Sequence, residues 1–162
     1  MPNWCGNSVT FKHDDPAMIR RAKTAFVDGK FLEEFIPLPD GKWDWHWCVE
    51  NWGTKWDVGN GDGVNEVSDT TFTVYFDSAW SPPIRAYEQM SDLGFDVNAI
   101  YYEPGVAFAG RWTTESGDDF YDFSNMTAEQ VSKELPQDLD EAFGISESMA
   151  EWEADNDEDH TS

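Results

Sequence analysis

Residues 71–76 constrain the fold more than any other stretch. Phe72, Val74 and Phe76 fall on one side of an extended chain and Thr71, Thr73 and Tyr75 on the other, the period-two pattern of a half-buried strand. Such a strand needs neighbours to pair with and an apolar layer over one face, so the chain must contain a sheet.

Partners for that strand can be read nearby. Residues 7–12 alternate polar and apolar types and predict a first strand, and residues 95–102 and 106–113 predict a hairpin turning at Glu103-Pro104-Gly105. Two helices fall between strands. The first opens at Asp14-Asp15-Pro16, aligns Ile19, Ala22 and Phe26, and stops at Asp28-Gly29; the second opens at Ser81-Pro82-Pro83, aligns Ile84, Tyr87, Met90 and Leu93, and ends at Gly94. Residues 31–66 read as a long structured loop dense in aromatics, with a short strand near residues 54–58. Trp43, Trp45, Trp47, Trp52 and Trp56 argue against disorder there.

This order predicts an α+β fold: a ferredoxin-like antiparallel sheet with an added edge strand, two helices on one face, the long aromatic loop, and short C-terminal helices. Those helices follow from local signals. Thr127 and Gln130 have capping-box spacing, Met126 and Val131 can form the accompanying apolar contact, and Pro136 stops the helix. A second helix is expected over residues 138–143, closed by Gly144, and a third over 146–152. The expected organisation is a domain at 1–113, an acidic helical extension at 114–153 and a disordered acidic tail at 154–162.

Charge narrows function. The net charge is −23; residues 1–112 hold 17 acids and 9 bases, whereas residues 113–162 hold 16 acids and one base, Lys133. That balance excludes direct nucleic-acid binding, disfavours anionic membranes and calls for a basic partner. With no apolar run of membrane-spanning length and no basic-apolar leader at Met1-Pro2-Asn3-Trp4, the chain is expected in the cytoplasm, with Cys5 and Cys48 reduced.

Four segments resemble the YubB-like proteins of plasmids and phages, in this order: Pro2-Asn3-Trp4-Cys5-Gly6-Asn7, Glu50-Asn51-Trp52-Gly53-Thr54-Lys55-Trp56-Asp57, Phe76-Asp77-Ser78-Ala79-Trp80-Ser81-Pro82-Pro83, and Tyr102-Glu103-Pro104-Gly105-Val106-Ala107-Phe108-Ala109-Gly110. The resemblance covers residues 2–112. It implies a ferredoxin-like domain carried by a mobile genetic element, and it supplies no catalytic residues.

Two candidate sites follow. The first is an acidic partner-binding surface of Glu115, Asp118, Asp119, Asp122, Glu129, Glu134, Asp138, Asp140, Glu141, Glu147, Glu151 and Glu153, interleaved with aromatic and aliphatic residues that let it fold. A chain of this length is about 40 Å across, and duplex DNA of that length carries about 24 phosphate charges. The total charge therefore matches that of a DNA mimic. On this reading the protein is non-enzymatic and blocks a nucleic-acid-binding host defence complex, of restriction or CRISPR type. The second candidate is a small-ligand or enzymatic pocket of Trp45, Asn51, Trp52, Lys55, Trp56, Asp57, Trp80 and Glu103. No cofactor is expected. Cys5, His13, His46 and Cys48 lack metal-ligand spacing, and no catalytic residues are assigned.

Overall fold

In the computed structural model, which describes residues 3–160, the first alternating segment is β1 (Trp4–Lys12), with Cys5, Asn7, Val9 and Phe11 buried on one side. Asp15 accepts a hydrogen bond from Ala17 N and Pro16 takes the first helical position, which starts α1 (Pro16–Val27). The expected loop over 31–66 is partly helical instead. It holds α2 (Phe31–Phe35), α3 (Trp45–Asn51) and two single 3-10 turns, and its strand, β2, lies at Val64–Ser68 rather than near 54–58.

Caps explain the difference. Asp44 accepts from His46 N and Trp47 N at the start of α3, and Asp57 reaches across the loop to accept from Leu32 N and Glu33 N at the start of α2. Thr54 meanwhile donates to the Ala79 carbonyl, so this part of the chain crosses a strand end instead of joining the sheet.

The constraining strand is β3 (Thr71–Ala79), followed by α4 (Ile84–Asp92) and β4 (Asp96–Glu103). Ser81 does not cap α4; its hydroxyl donates to the Gly53 carbonyl at 2.5 Å. The hairpin continues as β5 (Phe108–Thr113), and a strand absent from the sequence reading, β6 (Gly117–Asp122), pairs with it. The chain ends in α5 (Ala128–Glu134), α6 (Gln137–Phe143) and α7 (Ile145–His160). The Thr127–Gln130 capping box is formed, and Gly144 closes α6 in the left-handed conformation. Of the tail expected to be disordered, residues 154–160 continue α7, whereas Thr161 and Ser162, like Met1 and Pro2, lie outside the described residues.

All strand pairs are antiparallel, in the order β2-β3-β1-β4-β5-β6. The sheet is open, with β2 and β6 at its edges. Successive side chains of β4 face opposite ways and feed separate cores. Val97 and Ala99 join Val9, Phe11, Phe72, Val74 and Phe76 under residues of four helices, among them Ile19, Phe26, Leu32, Cys48 and Tyr87. Ile100 and Tyr102 join Ala109 and Tyr121 against Phe123, Val131, Leu135, Leu139 and Ile145.

Helices therefore cover both faces: α1–α4 one, α5–α7 the other. At about 2 kcal/mol for each buried side chain, the last five residues named contribute on the order of 10 kcal/mol before ordering entropy. The acidic extension is anchored by its own core.

Candidate functional site

The twelve acids named for a partner surface divide into structural and displayed groups. Asp140 is 9% exposed: its Oδ1 accepts from Ser146 N at 2.7 Å and its Oδ2 from Ser146 Oγ at 2.6 Å, which caps the start of α7. Glu153, half-buried, accepts from Ala128 N at the start of α5. These two hold the extension together and leave the displayed surface.

Asp138 is bonded to Arg111 across from β5, a contact that pulls its carboxyl below the ordinary aspartate range, and Glu129 takes Lys133 at 2.9 Å. Glu141 accepts from Gln137 on the same helix. Glu115, Asp119, Asp122, Glu134, Glu147 and Glu151 are exposed. The Ser124 backbone N–H lowers the pKa of Asp122.

The second group of candidates does not assemble into one pocket. Trp52 is 1% exposed, donates to the Ile36 carbonyl and packs edge-on against Trp47 in the first core. Asn51 bonds back to Trp47 O within α3. Asp57 accepts from Leu32 N, Glu33 N and Val58 N; burial pushes its carboxyl up while these bonds pull it down. Glu103, also buried, holds the turn after β4 by accepting from Gly105 N and Val106 N. These four serve the fold. Trp45 stacks on its neighbour His46 at 3.7 Å.

Lys55, Trp56 and Trp80 do come together. The Lys55 ammonium sits 4.7 Å from the Trp80 ring centroid and 5.3 Å from that of Trp56, and Trp56 leans on Trp4 at 5.8 Å. Trp80 is held at φ 69, a left-handed conformation that costs a bulky residue about 1–3 kcal/mol, and the residue stays 44% exposed. Trp80 N–H to Asn3 O at 2.8 Å helps fix this conformation.

Cysteine and histidine chemistry has little purchase. Cys5 is buried and its thiol is pushed up to about 12, so it is protonated at neutral pH. Cys48 is also buried and free. Among the described residues, no cluster of three or more His, Cys, Asp or Glu is placed to hold a metal ion.

A feature missed by sequence reasoning lies beside β6. A groove of about 410 Å³ runs between Trp80, Pro82 and Ile84 on one side and Tyr101, Phe108 and Phe120 on the other, with Asp118 on its lining. Rings continue along its β-side: Tyr101 and Phe108 are 6.0 Å apart and Phe108 and Phe120 5.3 Å. The Tyr101 hydroxyl donates to Asp118 Oδ1 at 2.6 Å, and burial with this carboxylate pushes the phenol's pKa up. Gly53 also lines the groove, and a Cβ there would come within 3.0 Å of Ile84 N. The groove draws on α3, α4 and three strands, so no single segment announces it.

No protein-family model matches the chain, and no curated protein matches it. Among solved structures it is similar to protein api92 of Yersinia pseudotuberculosis, described by the family model DUF1281, at 16% identity and a TM-score of 0.37. The alignment covers 48% of this chain and 29% of that one, so this chain spans less than a third of that protein's length.

Proposed function

We propose that this chain is a non-enzymatic interaction protein of a mobile genetic element, acting in the cytoplasm of the host cell. It engages a basic, nucleic-acid-binding host protein of a restriction or CRISPR system, and its carboxylates take the place of DNA phosphates. The observation that carries this reading is that the acids of residues 118–155 ride on folded elements: β6 is hydrogen-bonded into the sheet and α5–α7 are anchored through Val131, Leu135, Leu139 and Ile145. Carboxylates held on a scaffold lose less entropy on binding than those of a loose tail.

Spacing sets what the surface must contain. Glu147, Glu151 and Asp155 are exposed and four residues apart on α7, about 6 Å per step along the axis. Duplex DNA carries one charge per about 1.7 Å. One helix is too sparse, so the acids of β6, α5 and α6 must share the contact. Strand order supports the ferredoxin-like reading of the scaffold: β2-β3-β1-β4, with α1 following β1 and α4 following β3, and β5 and β6 added beyond β4. Among the described residues, no helix is long and apolar enough to cross a membrane.

Affinity purification from host lysate at low salt tests the reading. Deleting residues 114–162 is a poor control, because it strips β6 and uncovers Ile100, Tyr102 and Ala109. Replacing Glu134, Glu141, Glu147 and Glu151 by Gln keeps the caps and removes charge. The wild type should capture a basic nucleic-acid-binding protein that duplex DNA and high salt displace, and the fourfold variant should lose it. Capture of no such protein, or equal capture by the variant, refutes the proposal.

A further inference from the structure

An acidic edge strand needs only charge to stay soluble and unpaired, yet β6 carries an exposed aromatic, Phe120, between Asp119 and Tyr121. Phe120 faces the groove shared with Trp80, whose half-exposed indole is kept in a strained backbone conformation. Trp80 already holds one cation against its ring, the Lys55 ammonium. The groove's pinned acid is Asp118, exposed and fixed through Oδ1 by the Tyr101 hydroxyl. Arg85 also lines the groove, but its guanidinium is directed to Glu88 at 3.7 Å and is 63% exposed.

Flat aromatic walls with one positioned carboxylate match a guanidinium. That group is planar, more weakly hydrated than an ammonium, stacks on rings and pairs with carboxylates through two N–H bonds. We infer that this groove receives an arginine side chain of the basic partner, stacked between Trp80 and Phe120 and paired with Asp118. The inference rests on the basic-partner reading and adds to it a defined anchor beside a diffuse acidic surface.

The probe is N-acetyl-arginine amide, titrated into the full isotope-labelled chain and followed by NMR at the Trp80 indole N–H and the Phe120 ring. N-acetyl-citrulline amide, with the same shape and no charge, is the control. Arginine should give a saturable shift at these two groups, with citrulline at least about tenfold weaker. Phe120→Ala, which trims an exposed side chain, and Asp118→Asn should each weaken arginine about tenfold, while Glu147→Gln leaves it unchanged. Equal responses to arginine and citrulline, no response, or shifts spread over α5–α7 overturn the inference. The lysate capture separates the two proposals. Capture that survives Asp118→Asn and Phe120→Ala but fails in the fourfold Gln variant removes the groove alone. Absence of capture by the wild type removes the basic-partner reading itself.

Discussion

Asp140→Ala should weaken the protein although the chain has 33 acids and a net charge of −23. The substitution removes two short bonds, to Ser146 N at 2.7 Å and Ser146 Oγ at 2.6 Å, from a nearly buried carboxylate joining α6 to α7. Bonds to a charged acceptor contribute about 1.5–3 kcal/mol each, and losing one negative charge and its desolvation returns part of that. The net loss should be about 2 kcal/mol. For a chain of this size that lowers Tm by roughly 4–8 °C. Ser146→Ala loses the hydroxyl bond alone but leaves the charged carboxylate in place, and should cost about 1.5–2 kcal/mol, with non-additivity on the same scale in the double variant. Urea unfolding followed by tryptophan fluorescence gives the energies. Amide exchange localises them, because α7 should open more readily while β1 stays protected. A loss under about 0.5 kcal/mol, the usual range for surface changes, would refute the capping argument. So would an equal loss in Glu141→Gln, whose acid is exposed.

Three other outcomes follow from the structure. Gly110→Ala should separate β5 from β6, because a Cβ there would collide with the Asp119 carbonyl and the Tyr101 hydroxyl, and loss of amide protection across Gly117–Asp122 would register it. Raising NaCl from 0.01 to 1 M shortens the screening length from about 30 Å to about 3 Å and should raise Tm by relieving self-repulsion; a constant or falling Tm would mean that ion pairs outweigh repulsion. Arg111 lowers the Asp138 carboxyl in the folded state, so this contribution is fully present above the unfolded value of about 3.9 and is lost as pH falls through the folded value. The stability gap between wild type and Asp138→Asn, within about 1 kcal/mol for so exposed a pair, should hold above pH ~5 and close below pH ~4. A gap that widens in acid would reverse the assignment.

Elements with a local signature were legible in the sequence. The alternation in β1 and β3, the Asp15-Pro16 start of α1, the Thr127 capping box and the Gly144 stop all depend on residues within a few positions of one another. β6 was hidden because Gly-Asp-Asp-Phe-Tyr-Asp is poor in strand-forming residues; pairing to β5 overrides that preference at an edge where side chains reach water. Asp57 resembled a pocket acid because its real task, capping α2 from about 25 residues away, leaves no local trace. In the sequence Asp140 and Glu153 look like the displayed acids around them, because charge alone does not distinguish a cap from a surface. Trp52 and Trp80 lie near each other in composition and far apart in role: one is core, the other half-exposed.

The two cores on opposite faces of one sheet impose an order of assembly. Translation delivers the N-terminal segments first, and domains fold as their parts appear. The face over β1, β3 and β4 can be covered once α4 and β4 have emerged, but Ile100, Tyr102 and Ala109 wait for partners supplied by residues 123–145. The nascent chain therefore exposes an apolar half-sheet until its most acidic segment arrives to seal it. Closure and charge are delivered by the same residues, so a chain cut short after β5 would lose its cover and its main source of mutual repulsion together. For such fragments the expected fate is aggregation, and a gene encoding this fold cannot shed its acidic surface by truncation without shedding solubility as well.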